Sequence, residues 1–148
     1  PGIEKVEDIT PQFWENRMEQ MVNFEKHISQ NGTKILKFYF HMSKDEQRER
    51  LLQRLENPED NWKFSTGDLK ERERWDDYMK YYEEAINKTS TDFAPWYIIP
   101  ADDKGVARYI VAKIIWEELE KLTDIAEPEL DPKVKANIEE YRTQLKKM

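Results

Sequence analysis

The chain contains no cysteine. Disulfides, thiolate metal sites and cysteine nucleophiles are thereby excluded, and the composition suits a reducing, cytoplasmic setting. Glycine is scarce as well: Gly2, Gly32, Gly67 and Gly105 are the only four. Neither G-x-x-x-x-G-K-[ST] nor G-x-G-x-x-G can be written with them. The longest apolar run falls far short of the roughly 20 residues a membrane-spanning helix needs, so no membrane partner is expected. No signal-peptide pattern and no initiating Met open the chain, which begins Pro1-Gly2-Ile3-Glu4. Such an opening is expected of a trimmed chain or of a piece of something longer. Positive charge is in the minority, with 24 Lys plus Arg against 31 Asp plus Glu and a formal charge of −7. That balance argues against general nucleic-acid binding, although a local basic patch stays open.

What is present is enough for one domain. The chain has 148 residues, 38% of them apolar and 12% aromatic. That is too aromatic for a disordered chain and long enough for a core without staples. Thr10-Pro11 reads as a helix start, a hydroxyl cap followed by Pro at the first helical position. Asn31-Gly32 closes that helix. Lys34 to Met42 reads as a strand, nearly continuous in apolar residues and so covered on both faces. Ser43-Lys44-Asp45-Glu46 is a capping-box pattern opening a helix that Asn57-Pro58 stops. Ser65 caps a long helix to about Lys88, with Leu69, Trp75, Tyr78, Met79 and Tyr82 on its apolar face. Trp96 to Pro100 is a second buried strand. A helix from about Asp103 to Leu122 is expected to bury Ala107, Ile110, Val111, Ile114, Ile115, Leu119 and Leu122. A last helix from Asp131-Pro132 is expected to turn Val134, Ile138, Tyr141 and Leu145 inward.

Two strands rarely form a stable sheet alone, and buried parallel strands normally sit inside a larger α/β layer. Either the remaining strands lie outside this chain, or a partner chain supplies them. Exposed sheet edges of that kind encourage association, so a homo-oligomer is expected.

Candidate chemistry is concentrated in a few places. Arg50 and Arg54 share one helical face. Arg48 lies off it, and Lys44 and Lys63 could approach it. Converging guanidiniums suit bidentate binding of phosphate oxygens. The competing reading is a solvated face paired with Glu46, Glu49 and Glu56, which is the commoner outcome for charge runs on helices. Asp76 and Asp77 point about 100° apart on a helix and make a poor dyad. Asp102 and Asp103 follow a buried strand, where open α/β sheets place ligands, or they cap the next helix. His27 and His41 are the only histidines, so no transition-metal site is expected. The aromatic row of Trp14, Trp75, Tyr78 and Tyr82 reads as core.

Blocks of residues in a fixed order carry a resemblance. They are Asn31-Gly32-Thr33-Lys34-Ile35-Leu36-Lys37-Phe38, then Ser43-Lys44-Asp45-Glu46-Gln47 with Arg50 and Arg54. Pro58, Trp62-Lys63-Phe64-Ser65, Asp68, Trp75-Asp76-Asp77-Tyr78 and Thr89-Ser90-Thr91 follow. The last block is Ala94-Pro95-Trp96-Tyr97-Ile98-Ile99-Pro100-Ala101-Asp102, with Lys104 and Ala107-Arg108. Together this run resembles the family-2 polyphosphate kinases. The resemblance implies an α/β fold, the C-terminal part of a three-layer P-loop kinase-like fold related to thymidylate kinase. It would be mostly helical, with two buried parallel strands in this chain. It implies phosphoryl transfer between inorganic polyphosphate and a nucleotide (ADP, GDP or AMP), with Mg²⁺ whose ligands are not in this chain. Residues of about 43–75 would form a lid with Arg50, Arg54 and Lys63 facing phosphates. Asp102, Asp103 and Lys104 would lie near the nucleotide, and residues 123–148 would form a helical tail. The family's Walker A loop, Walker B aspartate and neighbouring basic motif have no counterpart here. The 148 residues are therefore expected to be inactive in isolation, because phosphoryl transfer depends almost wholly on those positioning parts. The alternative is a non-catalytic interaction module, or half of a split enzyme completed by another chain.

Overall fold

Capping chemistry sets most of the element boundaries. The structure is a computed structural model that describes residues 9–123 and 125–148; the opening Pro1-Gly2-Ile3-Glu4 lies outside the described residues. Helix α1 (Pro11–Gln30) starts where the Thr10 hydroxyl accepts from the Phe13 N–H at 3.3 Å. It ends where Gly32 takes a φ of 88° and the Thr33 N–H returns to the Ile28 carbonyl at 3.1 Å. Strand β1 is Lys37–His41, shorter than the run from Lys34 that the apolar pattern predicts. Its first backbone bond outside the strand pair goes from the Lys37 N–H to the Pro95 carbonyl.

Helix α2 (Lys44–Glu56) is capped by Ser43, whose hydroxyl accepts from the Glu46 N–H at 3.1 Å. The other half of the predicted capping box is made differently. Glu46 turns its carboxylate to Arg50, and Asp102 takes the Ser43 N–H instead, at 2.7 Å. A 3-10 turn at Asn61–Lys63 follows. Ser65 and Asp68 then form a complete capping box, but the single helix expected after it is two. Helix α3 (Thr66–Glu73) and helix α4 (Trp75–Thr89) meet at Arg74, which has φ −94° and ψ 22°. The Arg74 N–H closes tightly onto the Glu71 carbonyl, three residues back, and the Tyr78 N–H restarts the ladder on the Arg74 carbonyl. No Gly or Pro marks this break in the sequence.

Strand β2 (Trp96–Pro100) runs parallel to β1, with Lys37 opposite Trp96 and His41 opposite Pro100. Helix α5 (Lys104–Glu120) begins where the Asp103 carboxylate accepts from the Val106 N–H at 2.9 Å. The expected last helix is also split, into α6 (Pro132–Ala136) and α7 (Ile138–Lys147), with Asn137 between them.

The chain divides into two units, one up to Lys113 and one from Ile114 to Met148. In the first, Thr89, Ala94, Ile99, Ala101 and Ala107 are buried, so the core follows β2 and the elements that flank it. The expectation that both strands are covered on both faces fails at one residue on each face: Phe40 is 51% exposed, and Ile98, which the register sets on the opposite face, is 60% exposed. Nothing among the described residues is layered over them. In the second unit Ile115, Leu119 and Leu122 are exposed, as are Val134, Ile138, Tyr141 and Leu145, contrary to the periodicity reading. The helical spacing is present, but no described element covers those stripes.

Candidate functional site

Both strands of a parallel pair end on the same side, and the segments following them must meet there. Met42 follows β1, and Ala101 to Asp103 follow β2. The start of α2 lies between them, and α3 and α4 complete a groove of about 410 Å³ on that side. Its walls carry Arg50 and Arg54 from α2, Asp68 and Arg72 from α3, and Trp75 and Tyr82 from α4, among others. The structure therefore brings Arg50 and Arg54 together on one groove, as their spacing predicts.

The two arginines differ in their partners. Arg50 donates from Nε to Glu46 Oε1 at 2.7 Å, and from Nη2 to the Ala101 carbonyl at 2.7 Å and the Asp102 carbonyl at 3.1 Å. Its side chain is 19% exposed. Arg54 is 42% exposed and makes a long ion pair, Nη1 to Asp68 Oδ2 at 3.9 Å. Arg50 thus has the Glu46 partner of the competing reading but is not solvated, while Arg48 pairs with Asp45 and Glu49 on an exposed face away from the groove. Lys63 is not among the groove residues. It pairs with Asp60 at 2.6 Å and sits over the Trp62 ring. That contact, with a second from Asn57, lowers the Asp60 pKa below its ordinary value.

Asp102 uses Oδ1 to accept the Ser43 N–H, and this bond is the main cause that lowers its pKa. Asp103 is a helix cap, and Lys104 opens α5 exposed to solvent. Sequence reasoning missed Arg72. It donates from Nη1 to the Lys44 carbonyl at 2.7 Å and to Gln47 Oε1 at 2.9 Å. No local spacing rule links positions 28 apart; only the fold brings them together. The aromatic row is also not simply core. Tyr78 and Tyr82 are exposed on the groove. Tyr78 donates to Glu71, which raises the Tyr78 pKa. Tyr39 beneath them is raised chiefly by burial and then by Tyr82.

Among the described residues no group of three or more His, Cys, Asp or Glu is placed to hold a metal ion. Asp102 and Asp103 are turned to backbone N–H groups. The described residues do not form a Mg²⁺ site.

A mostly helical α/β fold whose parallel strands end at an arginine-bearing groove belongs to the class that meets ligands at the C-terminal strand edge. Comparison with known proteins narrows this. The family model described as Polyphosphate kinase 2 matches residues 1–127. The chain is 47% identical over 141 residues to an ADP-polyphosphate phosphotransferase of Rhodopseudomonas palustris, covering 95% of this chain and 48% of that protein. It is 47% identical over 121 residues to an AMP/ADP-polyphosphate phosphotransferase of Meiothermus ruber, covering 81% of this chain and 45% of that one. Its fold is similar to the crystal structure of polyphosphate kinase 2 from Arthrobacter aurescens. The TM-score is 0.81 at 38% identity, over 95% of this chain and 48% of that one. The chain belongs to the polyphosphate kinase 2 family, and its fold is of the P-loop kinase-like kind. It spans about half the length of the curated relatives it matches.

Proposed function

We propose that this chain supplies the lid-bearing, C-terminal portion of a phosphotransferase. That enzyme moves a phosphoryl group between inorganic polyphosphate and a nucleoside mono- or diphosphate, namely AMP, ADP or GDP. The observation that carries this reading is the groove at the strand ends with the accessible guanidinium of Arg54 on its wall. The names of the Rhodopseudomonas and Meiothermus relatives, polyphosphate phosphotransferases of ADP and of AMP or ADP, support polyphosphate, AMP and ADP as substrates.

In this reading residues of about 43–75 are the lid and 123–148 a helical tail. Arg54 faces phosphate oxygens, which a planar guanidinium meets in two parallel hydrogen bonds. Arg50 and Lys63 add positive potential from the groove rim and the lid's outer turn. Asp102, Asp103 and Lys104 stand at the end of β2, where the nucleotide approaches. Closing the lid excludes water and strengthens each of these contacts. Mg²⁺, where bound, neutralises phosphate charge; its ligands come from outside this chain. The phosphate cradle likewise comes from elsewhere, since no Gly-rich loop can be written here. The exposed strand residues, Phe40 on one face and Ile98 on the other, are where further elements or a second copy would pack, so the assembled protein is oligomeric. No helix among the described residues is long and apolar enough to cross a membrane; we place the protein in the cytoplasm.

A chimera tests this. The present chain replaces the matched segment of the Rhodopseudomonas relative, and ATP formation from polyphosphate and ADP is followed. Turnover is expected from the chimera, none from the 148 residues alone, and a large loss with Arg54→Ala. A folded but inactive chimera would overturn the reading and favour the interaction module that the exposed strand residues suggest.

A further inference from the structure

The partners of Arg50, Asp102 and Arg72 divide the lid region into a stem and a tip. At the start of α2, the Ser43 N–H is held by Asp102 at 2.7 Å. About two turns on, Arg50 reaches back to the Ala101 and Asp102 carbonyls. Two segments that are 51 and more positions apart are thus joined by a reciprocal pair of contacts: a side chain of the β2 end grips the backbone of α2, and a side chain of α2 grips the backbone of the β2 end. Ala101 is 4% exposed, so this clasp is set against the core. At the far end of the lid, Arg72 ties α3 to the Lys44 carbonyl and Gln47.

Between Arg54 and Arg72 the ties are of another kind. Asn57 with Asp60, and Lys63 with Asp60, are three residues apart and hold only their own turn. The Arg54–Asp68 pair is long, at 3.9 Å. Leu55, Trp62 and Leu69 are exposed, so this tip has little apolar packing. Segments with few buried apolar contacts and exposed backbone hydrogen bonds open at low free energy.

We propose that Arg50, Asp102 and Arg72 are positioning residues that fix the stem of the lid to the end of β2, and that lid movement is confined to the tip between Arg54 and Arg72. This rests on the lid reading above but differs from it in Arg50 and Asp102. They act on the backbone of this chain rather than on phosphate or nucleotide, and Arg54 rides on the moving side of the boundary.

Hydrogen exchange on the full 148-residue chain tests the proposal without relying on turnover. Amides of 43–50 are expected to exchange slowly and those of 52–70 quickly. Asp102→Ala and Arg50→Lys should each speed exchange at 43–47 by about tenfold, the loss of a charge-assisted hydrogen bond, and leave 52–70 unchanged. Asp102→Asn keeps an acceptor oxygen and should restore slow exchange. Arg54→Ala should leave 43–47 unaltered. Stem and tip exchanging equally in the native chain would overturn the proposal. So would unchanged 43–47 exchange in Arg50→Lys and Asp102→Ala. If Asp102→Ala unfolds, Arg50→Lys and Asp102→Asn at the native melting temperature decide. A separate arm adds polyphosphate: absence of any protection of the tip would count against the polyphosphate reading, while the exchange pattern without ligand still judges the clasp.

Discussion

The two ends of the β1–β2 pair each carry a cation that bridges distant segments, and they use it differently. At the N-terminal end, Lys37 Nζ donates to Glu25 Oε2 and to the Thr89 carbonyl, both at 2.7 Å, and lies over the Trp96 ring. Lys37 and Glu25 are 11% and 17% exposed. At the C-terminal end, Arg50 is nearly as well satisfied, but one turn further Arg54 is half open to solvent beside the groove. One end is closed and welds α1, β1 and α4 together. The other is closed at its base and left open above. The difference matches the rule that parallel sheets hold ligands at their carboxyl ends and keep the amino ends for stability.

The largest effect should fall on the closed end. Lys37→Ala leaves Glu25 and the Thr89 carbonyl without their partner in a poorly hydrated site. Breaking such a pair by removing one member costs about 3–5 kcal/mol. Chemical denaturation of the full chain measures it. A loss under about 1 kcal/mol, the range of surface pairs, would show that the two ends are not distinct.

Arg54→Ala sharpens the contrast from the other side. In the chimera it should lower turnover about 100-fold, the scale for losing a preorganised donor at developing charge. Stability should change by no more than about 0.5 kcal/mol, as at ordinary surface sites. Arg50→Ala should do the reverse in proportion, costing roughly 2 kcal/mol of stability through its charge-assisted hydrogen bonds. Both measurements on both variants are needed; equal turnover losses with equal stability would erase the distinction between the neighbouring turns. Lys63→Ala, off the groove wall, should lower turnover less than Arg54→Ala. A loss as large would move Lys63 into the site.

These differences were only partly legible in the sequence. The caps at Thr10, Ser43 and Ser65, the close at Gly32 and the short strand at Trp96–Pro100 all follow from local chemistry, and the structure has them. So does the shared face of Arg50 and Arg54. What the sequence could not supply is anything that depends on contacts across the fold. The Ser43 capping box looks complete in sequence, yet Asp102 takes the Ser43 N–H while Glu46 is engaged by Arg50. Arg50 and Arg54 are the same residue on the same helical face, and Glu46 with the carbonyls of Ala101 and Asp102 distinguishes them. The kink at Arg74 lacks a breaker residue, and Arg72 has no local partner pattern. Burial was overread for a simple reason: periodicity reports which face a helix or strand would bury. It does not report whether a covering layer is present, and for Phe40, Ile98 and Leu119 no described element provides one.

The smallest effect separates the clasp by pH. The Ser43 N–H holds the Asp102 carboxyl below the ordinary carboxylate range, with Arg50 and His41 adding to the same direction. A depressed folded-state pKa means that the folded chain binds this proton less readily than the unfolded chain. The stability Asp102 contributes is therefore complete above its unfolded value, about 3.9. It is lost as the pH falls below that value and through the lowered folded one. Other carboxylates, Asp60 among them, lose stability in the same window, so the acid limb of the native chain alone is uninformative. The comparison with Asp102→Asn removes them, because every other group titrates in both proteins. Melting temperatures measured from pH 6 down to pH 3 should fall more steeply for the native chain than for Asp102→Asn, with the two curves parallel above pH 5. Parallel curves throughout would mean that the Ser43 contact is as well made by a neutral acceptor at every pH. The carboxylate charge of Asp102 would then add nothing to the clasp.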